Sequence, residues 1–358
     1  MAEEFNSIET LASAVKTKLD TITEKKKIVA LYAFNSTGKT RLSNLITEAD
    51  SDEIKSLCYN AFLEDMFVWD NENYILSFNR NSWIIKLVIE QGLENDIISN
   101  FKDIIQSNIE PAFDFLEGFV TFKLATGDDT SVTNIKISKG EESMFVWSVF
   151  YTVLETVINV LNDRVEDRTT GIFNDLQYIV IDDPVSSIDD TKIITMTIKL
   201  IETIKLYENN RVQFLVTTHH ALFYNIFVNS FKKDKRYNFK PYNLSKDNGL
   251  FILSKQDDSP FSYHLFVKKL IQNAITVNGI EKYHFNLFRN LLEKTSNFLG
   301  YNSWTECFSG ESKQEVIRLL NLYSHSKLAD LEPRGLSAED KDLFQKIFNT
   351  FIQDFKWK

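Results

Sequence analysis

The sequence predicts two unlike parts in one chain: an open α/β sheet built around a phosphate-binding loop, and after it a tail made of helices alone. Three observations carry this. KIVALY (27–32) has strand character, AFNSTGKT (33–40) follows it, and TRLSNLI (40–46) continues as a helix; strand, loop, helix is the order a phosphate loop needs. QYIVI (177–181) and RVQFLVT (211–217) are β-branched apolar runs that end in polar residues, as buried parallel strands do, with helical periodicity over 190–207 between them. From about Phe261 onward only helical periodicity remains, which sets the expected domains at 1–258 and 259–358.

The elements between these anchors are read in chain order. Residues 41–125 mix helical stretches such as WIIKLVIEQGL with Asn-rich segments such as FVWDNENY, and read as an insertion with its own helices. ESMFVWSVFYTVLETVINVL (142–161) is apolar nearly all round, so it reads as a buried helix. The basic, aromatic patch KKDKRYNFKPYN (232–243) and the strand-like GLFILS precede QDDSP, where the periodicity changes.

Composition narrows the function classes. At 358 residues the chain exceeds the usual ~100–200 of one domain, so a head with an appendage is the natural arrangement. Cys58 and Cys307 have no C-x-x-C partner, which leaves little material for a disulfide framework or a zinc site and points to a reducing, cytoplasmic setting. The acidic start MAEEFNSIET does not fit a signal peptide, and no run reaches the ~18 apolar residues of a membrane span; a soluble protein without a membrane partner is expected. The net charge of −10 argues against a general nucleic-acid coat. Residues 261–358, however, hold 13 Lys+Arg against 11 Asp+Glu, so the tail can meet a polyanion locally.

The chemistry-bearing residues come in a fixed order. In the pattern G-x-x-x-x-G-K-[ST], Ala33 holds the first glycine's place and Ser36 the middle, while Asn35, Thr37, Gly38, Lys39, Thr40 and Arg41 supply the phosphate cradle. Asp182 ends a strand where a carboxylate can reach a Mg²⁺ held by the Thr40 hydroxyl, and Asp183 beside it can position an attacking water. ISKGEES (137–143) opens the apolar helix with Ser138, Gly140 and Glu141, suited to an anion. The same residues also read as an ordinary capping box. SSID (186–189) and then His219, after the strand FLVTT, complete the series, His219 within reach of a terminal phosphate.

This order resembles the soluble branch of the ATP-binding-cassette (ABC) ATPases. The resemblance implies that ISKGE is the signature motif, Ser186 to Asp189 the D-loop, Asp183 the position of the catalytic glutamate and His219 the switch histidine. It also implies a head-to-tail homodimer with composite nucleotide sites, which larger assemblies can extend. An aspartate one methylene shorter than glutamate implies slow hydrolysis.

In the tail, Arg289 and Glu293 stand four apart and share a helix face, and His325 follows on a later helix. Ribonuclease chemistry without a metal needs a base for the 2′-OH, an acid for the leaving 5′-oxygen and a cation for the charged phosphorane. Glu293 and His325 can each be base or acid, with Arg289 as the cation; an i, i+4 Arg/Glu pair also occurs as a plain surface ion pair. Arg318 with His325 is a rival pair, similar to that of HEPN-type ribonucleases.

The stretches LYAFNSTGKTRLS, YNAFLEDMFVWDN, ISKGEESMFVWSVFYTVLE, YIVIDDPVSSID, FSYHL, YHFNLFRNLLEKTSNFLGY and LNLYSHS together resemble the PrrC-type bacterial tRNA-lysine anticodon nucleases. The resemblance implies an ABC-type NTPase head, an all-α HEPN-like nuclease domain, and the trio Arg289, Glu293 and His325. It further implies cleavage of the anticodon loop to 2′,3′-cyclic phosphate and 5′-hydroxyl ends, and gating by ATP, GTP or thymidine nucleotides with Mg²⁺. A type I restriction enzyme as silencer and a role against phage follow from the same likeness. Within SKQDDSPFSYHL (254–265), Asp257 or Asp258 is expected to meet a wobble base and Phe261 or Tyr263 to stack on one. Two other readings compete: a DNA-clamping SMC- or repair-type ATPase, disfavoured by the short stretch without heptads between Gly38 and Ile137, and a nuclease-dead nucleotide-binding interaction protein.

Overall fold

The computed structural model describes residues 2–20, 25–47, 54–60, 66–125, 131–132, 134–185, 188–256, 262–308, 313–324 and 336–356. Two compact units divide the chain, Met1–Pro260 and Phe261–Lys358. The first runs β1 (Ala2–Phe5), α1 (Ile8–Asp20), β2 (Lys26–Ala33), α2 (Lys39–Thr47), β3 (Ser56–Tyr59), β4 (Phe67–Asp70), β5 (Ile75–Phe78), α3 (Trp83–Gln91) and α4 (Glu94–Ile105). It continues with β6 (Ile109–Asp114), β7 (Phe119–Ala125), β8 (Ser131–Val132), α5 (Lys139–Asn162), β9 (Tyr178–Asp182), α6 (Asp190–Leu206), β10 (Gln213–Thr218), α7 (Ala221–Phe231), β11 (Tyr237–Asp247) and β12 (Leu250–Lys255).

Seven strands form the main sheet in the order β1-β12-β11-β2-β10-β9-β3. The five from β11 to β3 are parallel to one another, and β12 and β1 close one edge antiparallel. Side chains alternate across a strand, so each face has its own core. Ile28, Ala30, Tyr32, Ile179, Ile181, Phe214 and Val216 join a core with α5 to α7, whereas Val29, Leu31, Ala33, Val180 and Leu215 join Leu11, Val15 and Leu42 of α1 and α2. Cover on both faces explains why these strands are continuous apolar runs.

Helix α5 is long and apolar enough to cross a membrane, but 83% of its apolar window is buried inside the protein. It is a core helix. Phe145 shows why: its ring meets Phe101 and Phe122 edge-to-face at 5.6 and 5.3 Å and Phe113 at a tilt at 5.7 Å, and aromatic pairs add about 0.5–1.5 kcal/mol each beyond area burial.

The insertion holds more than the helices expected of it. Besides α3 and α4 it holds a five-stranded antiparallel sheet, β4-β5-β7-β6 with β8 on β7. The Asn-rich FVWDNENYILSF is a hairpin, with Phe67 opposite Phe78 and Asp70 opposite Ile75. Its turn is made by the Asp70 carboxylate, which accepts from the N–H groups of Glu72 (2.7 Å) and Asn73 (3.2 Å). Strands of four residues give too few alternations for period two to emerge from sequence.

The second unit contains, among the described residues, helices only: α8 (Ser262–Thr276), α9 (Lys282–Leu299), α10 (Lys313–Ser324), α11 (Ala338–Asp354) and a short turn of 3₁₀ helix at Trp304–Cys307. Its core is separate. Phe288 of α9 stands edge-on to Phe344, Phe348 and Phe351 of α11 at 5.3–5.6 Å, which turns the next residue, Arg289, toward the rim of the buried face. Cys58 and Cys307 are both free.

Candidate functional site

In the first unit the polar residues gather where parallel strands end. Register places Thr218 beside Tyr32 and Thr217 beside Asp182, so β10 lies between the loop after β2 and the two aspartates after β9. Ligands bind at this edge in open α/β sheets.

The loop over 34–38 turns on two residues with positive φ, Ser36 (64°) and Gly38 (99°). Ser36 and Asn35 are exposed. Thr37 is buried and closes the turn, its N–H and its hydroxyl both donating to the Phe34 carbonyl. Lys39, at 6% exposure, donates from Nζ to the carbonyls of Ala33 (3.1 Å) and Phe34 (3.2 Å) and reaches Asn35 Oδ1 at 3.4 Å. It also pairs with Asp183 at 3.3 Å. Arg41 is turned elsewhere, exposed and paired with Glu9 of α1 at 2.8 Å.

The neighbouring aspartates are held in opposite ways. Asp182 is buried, and burial raises its carboxyl above the usual range although the Thr217 and Thr40 hydroxyls bond to it. A buried carboxylate next to a threonine hydroxyl suits a hard cation that takes oxygen ligands, and Mg²⁺ needs only one or two carboxylates beside nucleotide phosphates. Among the described residues no group of three His, Cys, Asp or Glu side chains comes together. Asp183 stands at φ 54°. Burial opposes its charge, but the His219 ring and Lys39 outweigh burial and hold its carboxyl below the usual range. His219 donates from its backbone N–H at 3.1 Å, and its Nδ1 lies 2.6 Å from both carboxylate oxygens. A carboxylate only accepts, so Nδ1 carries the proton in this contact, and Nε2 lies outside the pair.

Ser138, Gly140 and Glu141 open α5 as a reciprocal cap: Ser138 Oγ accepts from Glu141 N–H (3.2 Å) and Glu141 Oε2 accepts from Ser138 N–H (2.7 Å). Asp189 caps α6 through Lys192 N–H at 3.1 Å. These bonds stay within each helix start, and both sets of residues face solvent or half face it. Ser186 and Ser187 lie outside the described residues. Sequence reading missed Asn60. It follows the last pairing of β3, Tyr59 with Ile181, is buried, and donates to Asn44 of α2 at 2.9 Å. A polar residue ending the apolar run SLCY was the available signal.

In the second unit Arg289 is gripped on three sides. Its Nε donates to Glu293 Oε1 at 2.9 Å, its Nη1 donates to Asn321 Oδ1 of α10 at 3.0 Å, and its guanidinium lies 5.2 Å from the Trp304 ring centre. Glu293 is the more open partner, at 44% side-chain exposure against 21% for Arg289. Asn321 and Trp304 were not legible as site residues, since only packing brings them to α9. Arg318 is exposed on α10. His325, Asp257, Asp258 and Phe261 lie outside the described residues, as does the side chain of Tyr263, whose backbone is in α8.

Comparison with known proteins follows the same division. A family model described as an AAA domain matches residues 112–353. An anticodon nuclease of Escherichia coli is 36% identical over 361 residues, covering 92% of this chain and 89% of that protein. Among solved structures, the Smc head domain with a coiled coil and joint from Pyrococcus yayanosii is 11% identical with a TM-score of 0.30, over 48% of this chain and 28% of that one. The SmcHead bound to the C-winged helix domain of ScpA is 11% identical with a TM-score of 0.31, over 63% and 55%. Likenesses at that level carry no argument.

Proposed function

Because this chain belongs to the PrrC-type anticodon nuclease family and carries an AAA-type ATPase domain, we propose that it is a nucleotide-gated endoribonuclease that cuts the anticodon loop of a tRNA. The observation that carries the reading is the grip of Glu293, Asn321 and Trp304 on Arg289. A bare i, i+4 ion pair needs only Glu293; an acceptor from a second helix and an aromatic face fix the guanidinium plane, which is what a cation must have to meet a phosphorane. Glu293 takes the proton of the ribose 2′-OH, the 2′-oxygen attacks phosphorus, and the 5′-oxygen leaves with a proton from His325. The products are a 2′,3′-cyclic phosphate and a 5′-hydroxyl. Asp257 or Asp258 meets a wobble base, and Phe261 or Tyr263 stacks on a base of the anticodon.

In the head, Lys39 and the N–H groups of the 35–40 loop hold the phosphates of ATP, GTP or dTTP. Thr40 and Asp182 hold Mg²⁺, which supplies charge neutralisation at the phosphates when bound. Asp183 orients water, and Ser138, Gly140, Glu141 and Asp189 of a second copy complete the site in a homodimer. Silencing by a type I restriction-modification complex and release during phage infection fit a nuclease whose activity must wait for a signal.

Incubating the purified protein with bulk tRNA and each nucleotide, then mapping 5′-hydroxyl ends, tests the reading. Cuts confined to anticodon loops are expected. Arg289→Ala and Glu293→Gln lower the rate by about 10²- to 10⁴-fold, and Asn321→Ala by about tenfold, since it only positions the cation. Absence of cleavage, or cleavage undiminished in Glu293→Gln, sinks the proposal.

A further inference from the structure

Beyond the Arg289 cluster, the helical unit has a recess at the head of α9 of about 550 Å³, lined by Ile280, Glu281, Lys282, Tyr283, Leu336 and Lys341. We propose that it is a subsite for one unpaired nucleotide of the RNA strand adjoining the cut, an inference that rests on the endoribonuclease reading above. Its volume falls in the range of small-ligand sites.

Each wall has a chemistry that a nucleotide uses. Tyr283 is 49% exposed, yet its ring is backed by the buried His284 ring at a centre distance of 3.9 Å, which leaves a held aromatic face for a base. His284 is itself fixed, its Nδ1 accepting from Glu281 N–H at 2.9 Å. Ile280 is buried and Leu336 half-buried, giving the base an apolar floor. Lys282 and Lys341 put two cations at the rim for the phosphate. Glu281 is an acceptor that repels phosphate, so it meets the N–H edge of the base and orients the nucleotide with its phosphate toward the lysines.

The far wall is rigid. Ser337 caps α11 through Asp340 N–H at 3.1 Å, and the Asp340 carboxylate accepts from Ser337 Oγ and from Tyr323 Oη, both at 2.7 Å. That carboxylate is therefore engaged, and it ties the wall to α10, which also carries Asn321. Lys282 precedes Arg289 by seven residues, two helical turns on one face, or about 10 Å along α9. A strand held at Arg289 thus reaches the recess with a neighbouring nucleotide. An aromatic wall with two cations and one acid, at the head of the helix that bears Arg289 and Glu293, favours RNA over an acidic peptide.

Two measurements on the full chain test this. In cleavage of bulk tRNA, Tyr283→Ala raises KM on the order of tenfold with kcat nearly unchanged, Tyr283→Phe and Tyr283→Trp behave as the parent, and Lys341→Glu also raises KM. In a Glu293→Gln background, anisotropy of fluorescein-labelled bulk tRNA shows the same loss of affinity with Tyr283→Ala. Unchanged KM and affinity in Tyr283→Ala, or a loss in Tyr283→Phe equal to that in Tyr283→Ala, overturns the subsite. Failure of the parent to cut tRNA, with binding still weakened by Tyr283→Ala, overturns the nuclease reading and leaves the subsite standing.

Discussion

The strand-end site of the first unit and the Arg289 site of the second both hold a cation against a carboxylate, but they are built in opposite ways. Lys39 is 6% exposed and Asp183 22%, and their pair is one link in a chain that includes His219 and the loop carbonyls. Arg289 and Glu293 sit on a helix flank, with Glu293 at 44% exposure. Burial ties the first site to the stability of its unit, and exposure leaves the second free to change with little effect on folding. The Glu293 carboxylate can therefore be removed with little effect on folding, whereas a change at Lys39 or Asp183 is read as stability.

The largest effect that tests this contrast is Asp183→Asn, which leaves the buried Lys39 ammonium facing a neutral amide. A fully buried pair broken in this way costs about 3–5 kcal/mol; partial exposure brings the expected loss to roughly 2 kcal/mol. Glu293→Gln should move stability by less than about 1 kcal/mol, because exposed pairs contribute that little. Urea unfolding of the two variants decides it, and a Glu293→Gln loss as large as that of Asp183→Asn would break the comparison.

The same difference governs what sequence reading reaches. Ala33 to Thr40, Asp182, Asp183 and His219 each lie at the end of an apolar run, and parallel strands align those ends, so local text carries the first site. Asn321 and Trp304 come from outside α9 and meet Arg289 only through tertiary packing. No spacing in α9 announces them. The five-stranded sheet of the insertion was hidden for a third reason, since β4 and β5 are four residues each and their turn, Asn71 to Tyr74, reads as irregular chain.

A smaller effect separates the two neighbouring aspartates. Burial raises the folded pKa of Asp182 above its unfolded value, so its contribution favours folding at low pH and is lost as pH rises through the raised value. Asp183 has the opposite sign. Its folded pKa is depressed, so its stabilisation is present above the unfolded pKa and is lost as pH falls toward the folded one. Asp182→Asn should accordingly raise Tm at pH 7 by a few degrees, about 1 kcal/mol for a unit of this size, and lose the further rise given by Mg²⁺ with nucleotide. The gain should shrink toward pH 4. Calorimetry across that range checks the sign, and a lower Tm at pH 7 would show that the carboxylate is better tolerated than its burial implies.

The smallest effect concerns Ser36, which like Asp183 holds a left-handed backbone without being glycine. At φ 64° it occupies the left-handed region that glycine enters freely, and a non-glycine residue there costs on the order of 1 kcal/mol. Ser36→Gly removes that strain but adds backbone freedom to the unfolded chain, which returns about half or more of the gain. Stability should therefore rise by less than about 1 kcal/mol, and nucleotide affinity should change by less than about fivefold, which corresponds to that energy. Ser36→Val keeps the strain, adds a branched Cβ and lowers both. If Ser36→Gly instead weakens nucleotide binding tenfold, the serine hydroxyl is itself a phosphate ligand, and the loop is tuned by its side chain as well as by its backbone.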